Sequence, residues 1–451
     1  MTSAFWLLLI ALPPHANAAD LLDILSLAQD NDPAFRAASH RHDAALEQKP
    51  QAKARLFPTL SYRYQKTDTD QNIRETQNSV FARGSDSFET VDEGFRLTQS
   101  VFDWERWSRF NKSKATVSRA DAELSDAQQD LLLRAAEAYI GVLEQGDQLA
   151  TVGQEKAALE RHLEAAKRRA QSGLGRKVDV DDAEARFLIA VAKEIEIQSR
   201  LSDRQYALGV LTGRIPAHLQ PLRDGLEFAQ PVPADPEEWV KRGAQSNPGL
   251  IALQFRIDEA TREVAARKGG YYPRLDLVLT DGTEDNDGSL FGGGSKIDTD
   301  VIALEVNVPI YAGGFNKSRV REARSELMAV EEELLQARRE NEREVRDAFQ
   351  RVMASIAQVS ALSRSVEAQN RTLNLKTRGV SSGRYNVLEV LDSVRDLALA
   401  NQDLTKAKYD YALNILRLKR AAGVLSEEDM VIVNGWLAAD NQTGSTTTDR
   451  S

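Results

Sequence analysis

Two pairs of carboxylates are spaced so that both members of each pair share one helical face. Glu389 and Asp392 are three residues apart at the expected start of a helix, where positions i and i+3 are neighbours. Asp179 and Asp182 have the same spacing 210 residues earlier. Such acids can form a functional acidic site, or they can simply complement the positive end of the helix dipole. The sequence alone leaves both interpretations open.

Catalytic chemistry finds little support among the other reactive residues. The histidines are His15, His40, His42, His162 and His218. None has the H-E-x-x-H spacing of a zinc site, so we expect those of the mature chain to be solvated surface residues. Residues 292–296 (GGGSK) lack the glycine spacing of a phosphate-binding loop and precede a strand, which favours a flexible loop. We therefore expect no enzyme, no cofactor and no metal site.

The chain contains the same pattern twice. An Asp-Pro pair at 32–33 and an Asn-Pro pair at 247–248 are each followed 25 residues later by an aromatic-Pro pair, at 57–58 and 272–273. Further matches at an offset of 210 residues are Ser172 with Ser382, Gly173 with Gly383, Asp182 with Asp392 and Gly213 with Gly423. A period this long indicates a duplicated half rather than a solenoid unit. Each half is predicted to run helix, strand, strand, long helix, helix.

Alternating apolar and polar residues predict four strands. They cover about residues 59–67, 92–102, 274–282 and 299–310, and the polar stretches at 67–90 and 281–295 are expected to be loops. Each strand is about as long as a tilted strand that crosses a bilayer. Aromatic residues near the strand ends could form a membrane-interface girdle or an ordinary sandwich edge; they are Tyr62, Tyr64, Phe102, Trp104, Trp107 and Tyr311.

Long helices are predicted over about residues 103–212 and 314–422, with turns at 173–177 and 379–386. No proline lies between Trp104 and Ile215 or after Pro309. Apolar residues at 117, 120, 124 and 127, and again at 327, 330, 334 and 337, follow the 3-4-3 spacing of coiled coils. At 1.5 Å per residue, the helix from 103 to 172 would be roughly 100 Å long.

Composition narrows the class of protein further. The net charge of −10 disfavours nucleic acid as a partner, and 28% charged residues with only 6% aromatic residues fit long, solvated helices. Residues 5–12 are apolar and residues 16–18 read Ala-Asn-Ala, which predicts a secretory signal peptide over 1–18. No later segment has the apolar run of a membrane helix. The chain has no cysteine, hence neither disulfides nor a lipid-accepting thiol.

Four strands per chain cannot by themselves close a membrane barrel. Single-chain outer-membrane barrels need at least about eight strands, and lipid does not tolerate open sheet edges. Either the strands form a soluble sheet, or several chains pool their strands into one barrel.

The expected organisation follows from these boundaries. Residues 1–18 are the signal, 19–213 the first repeat, 214–235 a linker with one short strand near 226–228, and 236–423 the second repeat. Residues 424–451 are expected to form a second equatorial segment, like the linker, followed by a C-terminal tail. The tail is expected to be disordered from residue 438.

Several motifs, taken jointly, make the chain resemble the TolC-like outer-membrane factor family over about residues 20–435. They are NDP at 31–33, LFPTL at 56–60, LTQSVFD at 97–103, SGL at 172–174, NP at 247–248, YPRLDL at 272–277, VPIYAGG at 308–314 and VLEVLD at 387–392.

This resemblance implies a fold that is mainly α with membrane β. Three copies would form a 12-stranded β-barrel in the outer membrane that continues into a periplasmic α-helical barrel. The function implied is the exit duct of a tripartite export system, for type I protein secretion or multidrug efflux, without catalysis. The implied partners are two further copies, outer-membrane lipid, a periplasmic adaptor (membrane fusion protein) and an inner-membrane ABC transporter or proton-driven pump.

The resemblance also implies site residues. Glu389 and Asp392 match the acidic positions of the pore entrance. The gate network implied comprises Asp179, Asp182, Arg384 and Tyr385, and the adaptor-docking turns comprise Gly173, Leu174, Ser382 and Gly383. The absence of cysteine separates the chain from lipid-anchored efflux members and favours the protein-secretion subgroup. The alternative from a different class is a periplasmic coiled-coil structural or adaptor protein without its own pore.

Overall fold

The computed structural model describes residues 18–75, 84–216, 218–223, 226–288, 293–380 and 382–437. In chain order the helices and strands are α1 (Leu21–Asn31), α2 (Pro33–Leu46), α3 (Gln48–Ala54), β1 (Thr59–Ile73), β2 (Gly84–Phe102), α4 (Trp104–Gln171), α5 (Lys177–Thr212), α6 (Pro236–Ser246), α7 (Pro248–Lys268), β3 (Arg274–Asn286), β4 (Ser295–Asn307), α8 (Phe315–Val380), α9 (Val387–Ala421) and α10 (Glu427–Asn434). The protein is mostly helical with one sheet, as predicted. The order helix, strand, strand, long helix, helix occurs twice.

Two compact units can be distinguished, and each is described by itself. The helical unit comprises Met1–Ser39, Leu124–Pro248 and Ala337–Ser451. The sheet unit comprises His40–Glu123 and Gly249–Gln336. Within the described ranges, no helix is both long enough and apolar enough to span a membrane.

The core of the helical unit is a seam of apolar side chains on α4 that packs against α1, α5, α9 and α10. Leu132, Ala135, Tyr139 and Val142 follow the 3-4-3 spacing that keeps one helical stripe facing its neighbours. The hydroxyl of Tyr139 donates to the carbonyl of Gln220 at 2.8 Å, which satisfies this buried polar group. Coiled-coil packing therefore holds the predicted long helices together.

The two X-Pro motifs end a helix in the same way. Asp32 and Asn247 have extended backbones (ψ 116° and 117°), because a following proline disfavours the helical conformation. Their side chains then hold the junctions. Asp32 accepts hydrogen bonds from the Phe35 amide at 3.0 Å and from Arg134 at 2.8 Å. The side-chain amide of Asn247 donates to the carbonyl of Ala421 at 3.1 Å.

In the sheet unit, four antiparallel strands pair in the order β1-β2-β3-β4. The strands begin where predicted or earlier, and all four extend further into the polar stretches: β1 to Ile73, β2 from Gly84, β3 to Asn286 and β4 from Ser295. Polar cross-strand pairs continue the register there, since Lys66 contacts Glu89 at 2.5 Å and Thr283 bonds Asp298 at 2.7 Å. The predicted loops were wrong in extent because a hydrophobic period cannot reveal a strand that is polar on both faces. β4 also ends at Asn307, three residues earlier than predicted.

One face of this sheet is apolar and exposed. Tyr62 of β1 lies against Phe95 of β2 with ring centroids 5.0 Å apart, and these side chains are 55% and 51% exposed. The same face carries Leu60, Tyr64, Ile302, Leu304 and Val306, all of them exposed. Water does not favour such a continuous apolar surface, so it indicates an interaction with lipid or protein.

Three further predictions are corrected or left untested by the structure. Residues 226–228 form no strand; Phe228 instead packs edge-on against Tyr411 at 5.0 Å, and the strand-like pairing seen in the described part of the linker consists of isolated bridges at Leu219 and Leu222. His42 is not a solvated histidine, since its ring bonds Asp121 at 2.8 Å and is 16% exposed. The predicted signal (apart from residue 18) and the tail from residue 438 lie outside the described residues.

Candidate functional site

The candidate site lies where α4 turns into α5 and where α8 turns into α9, within the helical unit. Both turns are built alike. The amide of Leu174 donates to the carbonyl of Arg169 at 2.9 Å, and that of Arg384 donates to Gly379 at 3.0 Å. A hydrogen bond that closes a six-residue turn in this way requires a residue with a left-handed backbone conformation. Gly173 (φ 76°) and Gly383 (φ 70°) supply that conformation. The repeated Ser-Gly motif is therefore a helix-stop signal in both copies.

The turns present their side chains to solvent. Leu174 is 84% exposed, although its backbone is held by the helix-terminating hydrogen bonds. The hydroxyls of Ser172 and Ser382 each donate to a carbonyl three residues earlier, at 3.0 Å. The four residues predicted for docking thus lie in exposed turns closed by hydrogen bonds.

Asp179 caps the start of α5 together with Arg176. The guanidinium of Arg176 donates to the carboxylate of Asp179 at 2.8 Å, and its backbone amide points at the same carboxylate. The hydrogen bond from Arg176 lowers the pKa of Asp179, although slight burial opposes it. Asp179 is therefore an ionised cap of its own helix.

Glu389 has the matching role at the start of α9. Its carboxylate accepts from the backbone amide of Asn386 at 2.8 Å, while the Asn386 side chain accepts from the Glu389 amide at 2.8 Å. This reciprocal pair is a capping box, which satisfies two of the free amides at a helix start. The capping box supports the helix-end interpretation of Glu389, whose other carboxylate oxygen makes no hydrogen bond among the described residues.

Asp182 and Asp392 are joined by a residue that the sequence did not single out. Arg186 of α5 donates to Asp182 at 3.0 Å and, across to α9, to Asp392 at 2.7 Å. Burial opposes the positive charge of Arg186, but the hydrogen bonds to Asp392 and Asp182 dominate and raise its pKa. We call Asp182, Arg186 and Asp392 the Arg186 clamp. It ties the first helical hairpin to the second.

The other two predicted gate residues do not join this clamp. The ring of Tyr385 packs over Gly379, where an added Cβ would lie 2.5 Å from the ring edge. Arg384 is exposed, and its guanidinium has no ion-pair partner among the described residues. The structure thus brings Asp182 and Asp392 together and leaves Arg384 and Tyr385 on the turn.

A cavity of about 350 Å³ opens between the two hairpins beside the turns. Its lining includes Arg161, His162 and Arg169 of α4, Asp179 of α5, and Val390 of α9. Burial, followed by the charges of Arg161 and Arg169, lowers the pKa of His162, so this ring is neutral at pH 7. His162 is half-buried, which corrects the expectation of a solvated histidine. Within the described ranges, no group of three or more His, Asp and Glu side chains is arranged to hold a metal ion.

One sequence signal could have revealed Arg186. It lies four residues after Asp182, the spacing of a helical ion pair, and its counterpart 210 residues later is Asp396. Opposite charges at equivalent positions of two similar helices suggest a contact between the two repeats of the chain. The first turn offered a similar signal, since Arg176 stands three residues before Asp179.

Comparison with known proteins shows the family to which this chain is related. The model of the outer membrane efflux protein family matches residues 24–214 and 239–424. The outer membrane protein TolC of Vibrio cholerae is 30% identical over 424 residues, covering 93% of this chain and 94% of that protein. The alkaline protease secretion protein AprF of Pseudomonas aeruginosa is also 30% identical, over 96% of this chain and 90% of that protein.

A solved structure agrees at the level of the fold. The Campylobacter jejuni CmeC outer membrane channel superposes with a TM-score of 0.79 at 14% identity, covering 95% of this chain and 94% of that chain. The chain belongs to the outer membrane efflux protein family, as a TolC-like outer-membrane factor.

Proposed function

We propose that three copies of this outer-membrane protein form one export duct, which is closed at its periplasmic end and opened by partner proteins. In this proposal twelve strands close a barrel in the outer membrane, and the long helices form a tunnel in the periplasm. The duct itself does no catalysis.

The observation that carries the proposal is the sheet with two open edges and an exposed apolar face. β1 and β4 are edge strands of 15 and 13 residues, and neither pairs on its outer side within the described chain. Long free edges invite pairing with another chain, and lipid requires every edge to be paired. Pairing β4 of one copy with β1 of the next closes the sheet in a ring.

A second feature of α5 supports the same assembly. Its buried residues face the chain's own helices, but a second stripe is exposed, with Val178 65%, Leu188 56%, Ile195 65% and Tyr206 62% exposed. Ala185, Leu188, Ala192, Ile195, Ser199, Ser202 and Tyr206 follow strict 3-4-3 spacing. Such spacing is typical of a coiled-coil seam, so α5 has one seam for its own chain and one for a neighbouring copy.

The trimer is tested by a charge in this outer seam. Ile195→Glu places a carboxylate where the neighbouring copy would bury it, so the assembly should dissociate to monomers that keep their helical content. Gln198→Glu adds the same charge at another exposed position of α5 and should leave three copies together. Native mass measurement in detergent and circular dichroism give the two readouts. A trimeric Ile195→Glu protein would contradict the seam.

For the gate, we propose that the Arg186 clamp and the two capped turns hold the entrance shut. The clamp joins α5 to α9, so it must rearrange if one hairpin moves against the other. Glu389 and Asp392 of three copies would then place six carboxylates around one entrance. The proposal is supported by the clamp distances and by the charge at the turns.

For the partners, we propose that a periplasmic adaptor docks on the tips at Gly173, Leu174, Ser382 and Gly383, and that an inner-membrane pump drives export. The exposure of Leu174 supports this place. Protein secretion is the favoured cargo class, because AprF is named for protease secretion and matches over 96% of this chain. Multidrug efflux is the second candidate, supported by the family description.

The alternative, a periplasmic coiled-coil protein without a pore, makes a different prediction for cell fractionation. The duct should appear in the outer-membrane fraction as a heat-modifiable complex. A periplasmic adaptor or structural protein would appear in the soluble periplasmic fraction.

A further inference from the structure

Four junctions between helix and strand meet at one end of the sheet. Arg106 at the start of α4 donates to the carbonyl of Arg55 after α3 at 3.0 Å. Asn316 at the start of α8 donates to the carbonyl of Gly270 at 2.5 Å. A Cβ on Gly269 would lie 2.8 Å from the amide of Glu105, so that turn also lies against α4. The ends of α3 and α7 and the starts of α4 and α8 therefore form one local surface within the sheet unit.

This surface is rich in exposed cations. Nine Lys and Arg residues near the four junctions are exposed and have no ion-pair partner among the described residues: Lys49, Lys53, Arg55, Lys114, Lys268, Arg274, Lys317, Arg321 and Arg324. Of the acids in the same stretches, Asp103 and Glu105 pair with Arg106 and Arg109, and Glu322 is exposed between two arginines of α8, so the cations remain in large excess. We call these nine residues the basic collar.

The far half of the same sheet has the opposite charge. The described residues near the β1–β2 and β3–β4 connections include the acids Asp68, Asp70, Asp86, Glu89, Asp92, Glu93, Asp281, Glu284, Asp285, Asp287, Asp298 and Asp300. The basic residues described there are Lys66 and Lys296, which both pair with acids, and Arg74, which follows β1. The sheet is therefore strongly polarised along its strands, in a chain whose total charge is negative.

Exposed aromatic rings lie among the collar cations. Phe57 is 54%, Trp107 50% and Phe315 61% exposed. The ammonium of Lys53 lies over the Phe57 ring at 5.6 Å, that of Lys114 over Phe110 at 4.5 Å, and Arg319 over Phe315 at 5.4 Å. Rings at the edge of an apolar band with cations beside them are typical of the level of lipid headgroups.

We propose that the basic collar binds the phosphates of anionic phospholipids, which thereby fix the depth of the sheet in the membrane. The proposal rests on the proposed function, because that function puts the helix-bearing end of the sheet at the inner leaflet. Charge complementarity selects the ligand: unpaired cations face a headgroup phosphate while the adjoining apolar face takes the acyl chains. The acidic half of the sheet repels the same headgroups, so the arrangement works in one orientation only.

The test compares lipid retention by the intact complex. Protein purified in detergent is incubated with equal amounts of phosphatidylglycerol and phosphatidylethanolamine. The lipid molecules that remain bound are counted by native mass measurement. The unmodified protein should retain phosphatidylglycerol preferentially, and less of it at high salt. Lys53→Gln/Lys268→Gln/Lys317→Gln should lower that retention by an order of magnitude or more, since each basic residue at an anionic surface contributes about fivefold.

Matched variants separate a specific site from a loss of net charge. Arg338→Gln/Arg339→Gln/Arg364→Gln removes three exposed arginines of α8 outside the collar and should retain lipid normally. Lys53→Arg/Lys268→Arg/Lys317→Arg keeps the charge and should also retain it. Equal retention of both lipids by the unmodified protein, equal losses in the two Gln triples, or displacement of the lipid by millimolar inorganic phosphate would overturn the proposal. The mass of the complex is read in the same spectrum, so absence of a trimer contradicts the proposed function, whereas a trimer without lipid preference contradicts only the collar.

Discussion

At the scale of single residues, Arg186 holds two carboxylates, that of Asp182 on its own helix and that of Asp392, which lies 206 residues away in the chain. Its side chain is 25% exposed, and those of Asp182 and Asp392 are 38% and 45% exposed. Ion pairs as exposed as these contribute about 1 kcal/mol or less to stability. The clamp is thus too weak to hold the fold, but it suits a contact that must break and form again.

Arg186→Gln should therefore open the entrance without unfolding the protein. Because the two released carboxylates repel one another, we expect a larger single-channel conductance in planar bilayers and a change in unfolding free energy of about 1 kcal/mol or less. Arg200→Gln removes an arginine that pairs with Glu196 on the same helix, and it should leave conductance unchanged. If Arg186→Gln conducts like the unmodified protein, the clamp does not restrain the entrance.

The carboxylates of Glu389 and Asp392 give a second prediction. If they surround the entrance, the channel prefers cations, and trivalent cations added on the periplasmic side block it. Glu389→Gln/Asp392→Asn should abolish this block and reduce cation selectivity, and block of the unmodified channel should weaken with salt because exposed charges are screened over about 8 Å. Glu389→Gln alone leaves Asp392 and the Arg186 clamp intact. Weaker block in this variant would therefore come from the lost carboxylate and not from loss of the clamp. Persistence of block in the double variant would place both residues away from the entrance.

At the scale of elements, the Asp-Pro junction between α1 and α2 stabilises the helical unit by a buried ion pair. Asp32 is 4% exposed and is bonded by Arg134 and by the Phe35 amide. Burial favours the protonated form, but the hydrogen bonds and charge of Arg134 outweigh it, so the pKa of Asp32 is lowered. Its folded pKa lies below the unfolded one. The stabilisation is therefore complete above the unfolded pKa and is lost as pH falls through the folded pKa.

Asp32→Asn should lower the unfolding free energy at pH 7 by about 2 kcal/mol, because Arg134 loses its buried partner. The difference from the unmodified protein should shrink as pH falls below about 4, because the Asp32 carboxylate of the unfolded chain is protonated first and that of the folded protein only at lower pH. Thermal unfolding followed by circular dichroism at pH 7 and pH 3 measures both quantities. A difference that is the same at the two pH values would exclude the ionised pair as its cause.

The sequence predicted the helices and strands well where a hydrophobic period or a helix-stop signal existed, and it predicted their bounds less well elsewhere. Heptad spacing and the two Ser-Gly stops located the helices and turns, and Asp-Pro and Asn-Pro marked the repeats. The polar strand extensions could not be predicted, because their cross-strand pairs, such as Lys66 with Glu89, depend on register. Arg186 was missed for a similar reason, since its second partner lies on another helix.

At the scale of the whole molecule, three surfaces of the described residues lack a covering partner within the chain. The sheet has free edges at β1 and β4, α5 has an unused seam, and the apolar sheet face adjoins the basic collar. Each of these features is unfavourable in an isolated soluble chain. Together they support one closed assembly of three copies in the outer membrane.

The central claim is the closure of the sheet between copies, and cysteine cross-linking in cells tests it most directly. The chain has no cysteine, so a cysteine at Gln65 of β1 can be combined in turn with one at each position from 297 to 305 of β4. A mild oxidant should join the chains into dimers and trimers, and no larger species, at the few positions that lie opposite residue 65. Absence of any cross-linked product from outer-membrane fractions across the whole series, or products that extend beyond three chains, would contradict the account.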